Sequence, residues 1–214
     1  IAPSAWMAAI LEEYGIDGTK ITHVPYYIDT RQWTASPGGK YALFVGRLSQ
    51  EKGVETLVRA AALAKDVPVR VVGTGPEDMR LHKLAEELGA DNVTFVGWKK
   101  GEELKAEYEN ARFVVVPSEW YEVFGLIVFE AYASAKPVIA TQLGGLGEIV
   151  RHDETGKLVS AGDPEELATA MKALWNSQEL CDRMGQRARK WVEHVFTPER
   201  HYEQIMNVYK DVMG

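Results

Sequence analysis

The sequence predicts an α/β fold with a parallel sheet covered by helices on both faces. Short β-rich runs alternate with helical patterns at roughly twenty-residue intervals. The β-rich runs are apolar on both faces, as strands buried between two helical layers must be. Turn residues, mostly glycine, follow almost every run.

The elements read in order. The first 25 residues, opening on "IAPSAWMAAILEEYG", look like a helix plus a strand from something else. They start in mid-element, which reads as a piece of a longer protein. "TASPGGK" (34–40) is rich in turn residues and reads as a linker. "YALFVGRL" (41–48) is a short strand and "VETLVRAAALAK" (54–65) has helical spacing. "VPVRVVGTG" (67–75) is a strand ending in glycines. "PEDMRLHKLAEELG" (76–89) is a helix with Pro near its start and Gly at its end. "NVTFVGW" (92–98) is a strand, "GEELKAEYENA" (101–111) a helix and "RFVVVPS" (112–118) a strand. A helix over about 125–135 and a strand at 136–141 follow, then a short strand at 156–160. Helices near 164–176, 178–194 and 197–213 close the chain.

Composition narrows the function. Of 214 residues, 46% are apolar, enough for a sizeable core. The net charge of −7, with no dense Lys/Arg run, argues against a nucleic-acid or anionic-membrane surface. No apolar run approaches a bilayer span. The single cysteine, Cys181, excludes an internal disulfide and any multi-cysteine metal site, and suggests a reducing compartment. His23, His82, His152, His194 and His201 show no metal-ligand spacing.

In open α/β sheets ligands bind outside the carboxyl ends of the strands. The loops to inspect are therefore "GRLSQEKG", "GTGPE", "GWKKGEE", "SEWYEVFG" and "TQLGGLGE". The first joins Arg47 and Lys52 to a helix start, a combination that suits a diphosphate. It equally fits a solvated loop whose cations pair with Glu51 and Glu55. "EVFGLIVFE" (122–130) holds a second helix start. Gly125 permits close approach of a ligand, and the N–H groups of Gly125, Leu126 and Ile127 lack helical partners. Glu122 precedes this helix and Glu130 lies more than a turn inside it. Unpaired carboxylates in apolar surroundings are costly, so each requires a partner. Sugar and ribose hydroxyls fit, as do an exposed loop position for Glu122 and an Arg partner for Glu130. Glu148 is placed either to reach the site or to cap the helix after it. Trp191, Phe196, Tyr202 and Tyr209 read as docking aromatics.

Taken together, "GRLSQEKG", "VVGTGPE", "VTFVGW", "PSEWYEVFGLIVFEAYASAKPVIAT", "LGGLGEIV" and "ETGKLV" resemble the C-terminal, donor-binding half of the family-four (group 1) retaining glycosyltransferases. Glu122 and Glu130 match that family's Glu-x7-Glu motif. The resemblance implies a Rossmann-like domain, the C-terminal half of a GT-B architecture. It divides the chain into residues 1–37, the end of the N-terminal domain and the interdomain linker; 38–195, the nucleotide-sugar-binding domain; and 196–214, a helix that docks back on the N-terminal domain. "PYYID" (25–29) departs from the glycine-containing linker of many relatives.

The resemblance also implies roles. Arg47 and Lys52 hold the donor diphosphate, Glu122 contacts the transferred sugar, and Glu130 contacts the nucleotide ribose. Backbone groups of Phe124, Gly125, Leu126 and Ile127 meet sugar and phosphates. Val96, Gly97 and Trp98 meet the base, and Gly73 and Gly75 line the same cleft. The implied reaction is retaining sugar transfer, with Glu122, Arg47 and Lys52 as the reacting-centre residues and no cofactor or bound metal. The partners are a nucleotide sugar and an acceptor sugar or lipid held by the N-terminal domain. The enzyme is expected in the cytoplasm or at a membrane surface. A dehydrogenase fits poorly, since "GTG" (73–75) follows the second strand and lacks the third glycine of the fingerprint. An epimerase fits the architecture without the combined motifs. A nucleotide-binding module without turnover is the remaining alternative.

Overall fold

The structure, a computed structural model, describes residues 1–213. Six strands form one sheet: β1 (Tyr41–Val45), β2 (Val69–Val72), β3 (Val93–Phe95), β4 (Ala111–Val116), β5 (Val138–Thr141) and β6 (Gly156–Val159). Their order is β3-β2-β1-β4-β5-β6 and every pairing is parallel. The helices are α1 (Ala5–Glu13), α2 (Val54–Leu63), α3 (Asp78–Leu88), α4 (Gly101–Asn110), α5 (Leu126–Ala133), α6 (Leu146–Ile149), α7 (Pro164–Trp175), α8 (Gln178–Val195) and α9 (Pro198–Met213).

Strand alternation divides the core into two layers. Ala42 and Phe44 of β1, Phe113 and Val115 of β4 and Ile139 of β5 face a cluster with Leu57, Leu81, Leu167 and Met171. Leu43, Val114, Val116, Val138 and Ala140 face the other side, against Tyr108, Val128, Phe129 and Tyr132. α8 supplies Met184 to the first layer and Ala188 and Val192 to the second. Each fully buried large side chain contributes about 1.5–3 kcal/mol relative to exposure. The strand order reverses between β1 and β4, which opens a crevice at the carboxyl ends of these central strands.

Local signals set the helix ends. Asp163 accepts from the N–H groups of Glu165 and Glu166 with Pro164 at the first position of α7. Ser177 caps α8, and Gly89, at φ 59°, ends α3.

The structure departs from expectation at the start of the chain and in the 34–40 segment. The strand expected within the first 25 residues is only an isolated bridge between Ala2 and His23, because Ser4 caps α1 two residues after Ala2 and ends the extended stretch. The glycines that follow β1, β2 and β3 lie in the loops at their carboxyl ends, as the sequence predicts. The 34–40 segment is irregular, yet two cations tie it and its neighbours down. Arg189 donates to the carbonyls of Thr30, Trp33 and Ala133. The Lys136 ammonium, 1% exposed, donates to Ser36 O at 2.5 Å and to Gly38 O and Glu109 O at 3.0 Å each.

Trp191 and Phe196 are integral to the second core layer, through a cluster with Phe129. Tyr202 and Tyr209 of α9 are exposed. Cys181 is buried and donates to Leu174 O, and burial pushes its thiol up to about 11. No helix among the described residues is long and apolar enough to cross a membrane.

Candidate functional site

The loops after β1, β2 and β3 run side by side. Gly46 N–H donates to Val72 O at 3.0 Å, Leu48 N–H to Thr74 O at 3.0 Å, and Gly73 N–H to Gly97 O at 2.8 Å. The approach demands glycine: a Cβ on Gly73, whose φ is +140°, would lie 1.8 Å from Gly46 O. This packing holds Arg47 at the crevice. Gly53, at φ +66°, brings the start of α2 against β4, where a Cβ would lie 1.9 Å from Pro117 O.

Two adjoining clefts open at the start of α5, and Ile127 lines both. The first, about 480 Å³, is lined by Lys52, Glu122, Phe124, Gly125 and Leu126 together with Tyr26 and Tyr121. The second, about 380 Å³, is lined by Arg47, Gly73, Trp98 and Glu130 together with Thr74, Lys99 and Leu104. Gly125 enters α5 at φ 83°. Among the described residues the N–H groups of Gly125, Leu126 and Ile127 have no hydrogen-bond partner. They form the positive end of α5 between the two clefts.

Each carboxylate has a partner within the protein. Glu122 Oε1 accepts from Lys52 Nζ at 2.5 Å and from Ser118 Oγ at 2.9 Å. Both members of the ion pair are partly exposed, 28% for Lys52 and 24% for Glu122, so a ligand can reach them. Glu130 Oε2 accepts from the Tyr108 hydroxyl at 2.7 Å, not from an arginine. Burial raises the Glu130 carboxyl above its ordinary pKa, opposed by the Tyr108 hydrogen bond. Tyr108 itself is buried, and burial beside Glu130 pushes its hydroxyl well above the usual tyrosine value.

Arg47 is exposed, and the alternative in which the loop's cations pair with Glu51 and Glu55 does not form. Glu51 takes the Ser49 hydroxyl at 2.6 Å, and Glu55 takes Arg59 at 2.7 Å and Arg80 at 2.6 Å.

Several expected residues sit differently. Gly75 lines neither cleft. It lies against the backbone of Leu48, where a Cβ would come within 2.2 Å of the carbonyl oxygen, and so supports the Arg47 loop from behind. Val96 N–H donates to Val71 O and Gly97 O accepts from Gly73, which leaves Val96 C=O and Gly97 N–H without partners among the described residues. Trp98 is 62% exposed, with Lys100 Nζ 5.4 Å from its ring centroid.

Glu148 neither reaches the clefts nor caps a later helix. It receives the N–H of Ala5 at 3.0 Å and that of Trp6, and so caps α1.

The sequence reading missed Tyr108, Ser118, Tyr26 and Tyr121. Tyr108 carried a signal: it is the one hydroxyl-bearing aromatic among the buried positions of α4, and a buried phenol needs a partner. The other three depend on tertiary contacts.

Residues 28–191 match the sequence profile of the glycosyl transferases group 1 family. Among curated proteins, the O-antigen chain mannosyltransferase C of Escherichia coli is 30% identical over 183 residues, covering 85% of this chain and 49% of the relative. The chain spans about half the length of the curated relatives it matches. A solved structure of Anabaena HepE in complex with UDP superposes with a TM-score of 0.92 at 23% identity, covering 98% of this chain and 63% of that one. The C-terminal domain of a group 1 glycosyl transferase from Francisella tularensis superposes with a TM-score of 0.68 at 27% identity, covering 86% of this chain and 100% of the other. The protein described here thus belongs to the group 1 glycosyl transferases, and it matches the C-terminal domain of their GT-B architecture.

Proposed function

We propose that this domain binds a nucleotide-diphosphate sugar across the two clefts and forms the donor half of a retaining sugar transfer to an acceptor hydroxyl. One observation carries the reading: Glu122 and Glu130 lie in adjoining clefts on either side of three unpartnered N–H groups at the start of α5. That is one anion seat flanked by two hydroxyl acceptors, the complement of a sugar, a diphosphate and a ribose in sequence. The HepE structures, solved in complex with UDP and with UDP-glucose, support the class of ligand.

Arg47 and the α5 N-terminus hold the diphosphate, with Lys52 joining them once the ligand draws it from Glu122. Glu130 accepts from ribose hydroxyls and Glu122 from the transferred hexose. Val96 C=O and Gly97 N–H, unpartnered just before the cleft-lining Trp98, are available to the base. In transfer the bond between the anomeric carbon and the phosphate oxygen breaks, and its electron pair leaves with the diphosphate. The acceptor oxygen bonds to the same face of that carbon, and the acceptor proton goes to the departing phosphate. Charge grows on the leaving diphosphate, so fixed donors there act more strongly in the transition state than in the ground state. With two cations and a helix terminus in that role, the reading requires no bound metal.

The acceptor, a sugar or lipid, belongs to the whole two-domain protein, as does turnover; this chain alone is a nucleotide-binding half. A thermal-shift screen of nucleoside diphosphates, with and without chelator, tests the reading. Stabilisation by at least one diphosphate that survives chelator is expected. No response from any diphosphate contradicts the donor site, and loss of the response in chelator contradicts metal independence.

A further inference from the structure

Helix α1 is nine residues long and buries none of them. A helix so short has little stability of its own, so its position depends on what grips it. Its first turn is fully satisfied. Ser4 Oγ receives Met7 N–H at 3.1 Å, Ser4 O receives Ala8 N–H at 3.1 Å, and the two oxygens of Glu148 receive the N–H groups of Ala5 and Trp6. A carboxylate at this end also suits the helix dipole. The second grip is aromatic: the Trp6 ring stacks on Tyr121, with centroids 5.3 Å apart and planes 15° apart.

Both grips lead to the same loop. Tyr121 precedes Glu122 directly in the chain. Glu148 lies in α6, and at the entry to α6 Gly145 N–H donates to Glu122 O at 2.7 Å. Gly144 and Gly145 press against that loop: a Cβ would meet Glu122 O at 2.5 Å from Gly144 and Val123 O at 2.6 Å from Gly145. The loop from Ser118 to Gly125 has no helix or strand of its own. Its shape is set by what touches it, and α6 and α1 touch it together.

We propose that Glu148 is a positioning residue for Glu122. By capping α1 it holds Trp6 flat on Tyr121, which fixes the loop and aims the Glu122 carboxylate into its cleft. The importance of that aim for sugar transfer rests on the donor reading above. The mechanical link does not, and it can be measured without any ligand.

The experiment is amide hydrogen exchange on the protein and on Glu148→Ala, Glu148→Gln and Trp6→Ala, with UDP and UDP-glucose titrations alongside. In Glu148→Ala, exchange rises about tenfold both in the peptide with Ala5 and Trp6 and in the peptide covering 119–125, while peptides of α2 and α7 keep their protection. Glu148→Gln retains an acceptor oxygen and restores most of the protection. Trp6→Ala keeps the cap but frees the loop, and serves equally if Glu148→Ala does not fold. UDP-glucose binding weakens in Glu148→Ala while UDP binding does not change. Faster exchange confined to α1, with 119–125 unchanged, overturns the proposal, as does equal loss of both ligands. If the parent protein binds neither ligand, the exchange data still decide the link between Glu148 and the loop, and only the donor reading loses support.

Discussion

Lys52 Nζ lies 2.5 Å from Glu122 Oε1, so the cation nearest one cleft and the carboxylate that lines it neutralise each other across seventy positions of sequence. Both side chains line the cleft beside the start of α5. A diphosphate entering the site competes with Glu122 for Lys52. Arg47, with no such competitor, is the stronger anchor. Arg47→Ala should therefore weaken nucleoside diphosphate binding by about 1.5–3 kcal/mol, the value of a charge-assisted contact, with Lys52→Ala losing less. Calorimetry on the two variants checks the order; equal affinity to the parent in both would remove the phosphate site.

Tyr108→Phe should destabilise the protein by about 1–3 kcal/mol, because Glu130 then keeps its burial and loses its recorded donor. Urea denaturation measures the loss. A stability equal to the parent's would show that solvent already satisfies Glu130.

The raised pKa of Glu130 has a definite sign in stability. The folded protein holds this proton more tightly than the unfolded chain, for which the reference value is 4.5. Glu130 therefore contributes most below that value, and the contribution is lost as pH rises through the folded pKa. Glu130→Gln should remove this component, so the stability of the variant relative to the parent grows as pH rises above 4.5. Denaturation midpoints for the pair across mildly acidic pH give the comparison; parallel profiles would contradict the burial account.

Lys136 gives the opposite trend at alkaline pH. Burial pulls its ammonium down from 10.5 to about 8, while three carbonyl acceptors favour the charged form. Between these values the unfolded chain binds more protons than the folded one, so the Lys136 contribution grows as pH rises from about 8 to 10.5 and is flat below that window. Lys136→Met should abolish the rise, read as the difference between the two stability profiles. A difference that stays constant from pH 7 to 11 would show that the amine keeps its ordinary pKa.

Much of this was legible in the sequence. The two-sided apolar strands and the glycines after them give the parallel sheet and the end at which ligands bind, since both follow from local periodicity and turn chemistry. Glu122 and Glu130 stood out because charged groups beside or within an apolar helical run need partners, and the resemblance to the Glu-x7-Glu motif is what assigned them to one ligand. What could not be read were the partners brought from a distance. Lys52 reaches Glu122, Tyr108 reaches Glu130, and Glu148 caps a helix near the other end of the sequence. The 34–40 segment reads as a free linker because nothing local reveals that Arg189 and Lys136 bind its carbonyls and those beside it.

The most direct test of the central claim is calorimetry of one nucleoside diphosphate and its hexose conjugate against the parent, Glu122→Gln and Glu130→Gln, with melting temperatures as the folding control. Glu130→Gln should weaken both ligands about tenfold or more, since the ribose is common to them. Glu122→Gln should weaken the hexose conjugate only and leave the diphosphate unchanged or tighter, because Lys52 is released. If both variants bind both ligands as the parent does, the two carboxylates do not divide one donor between them and the account fails.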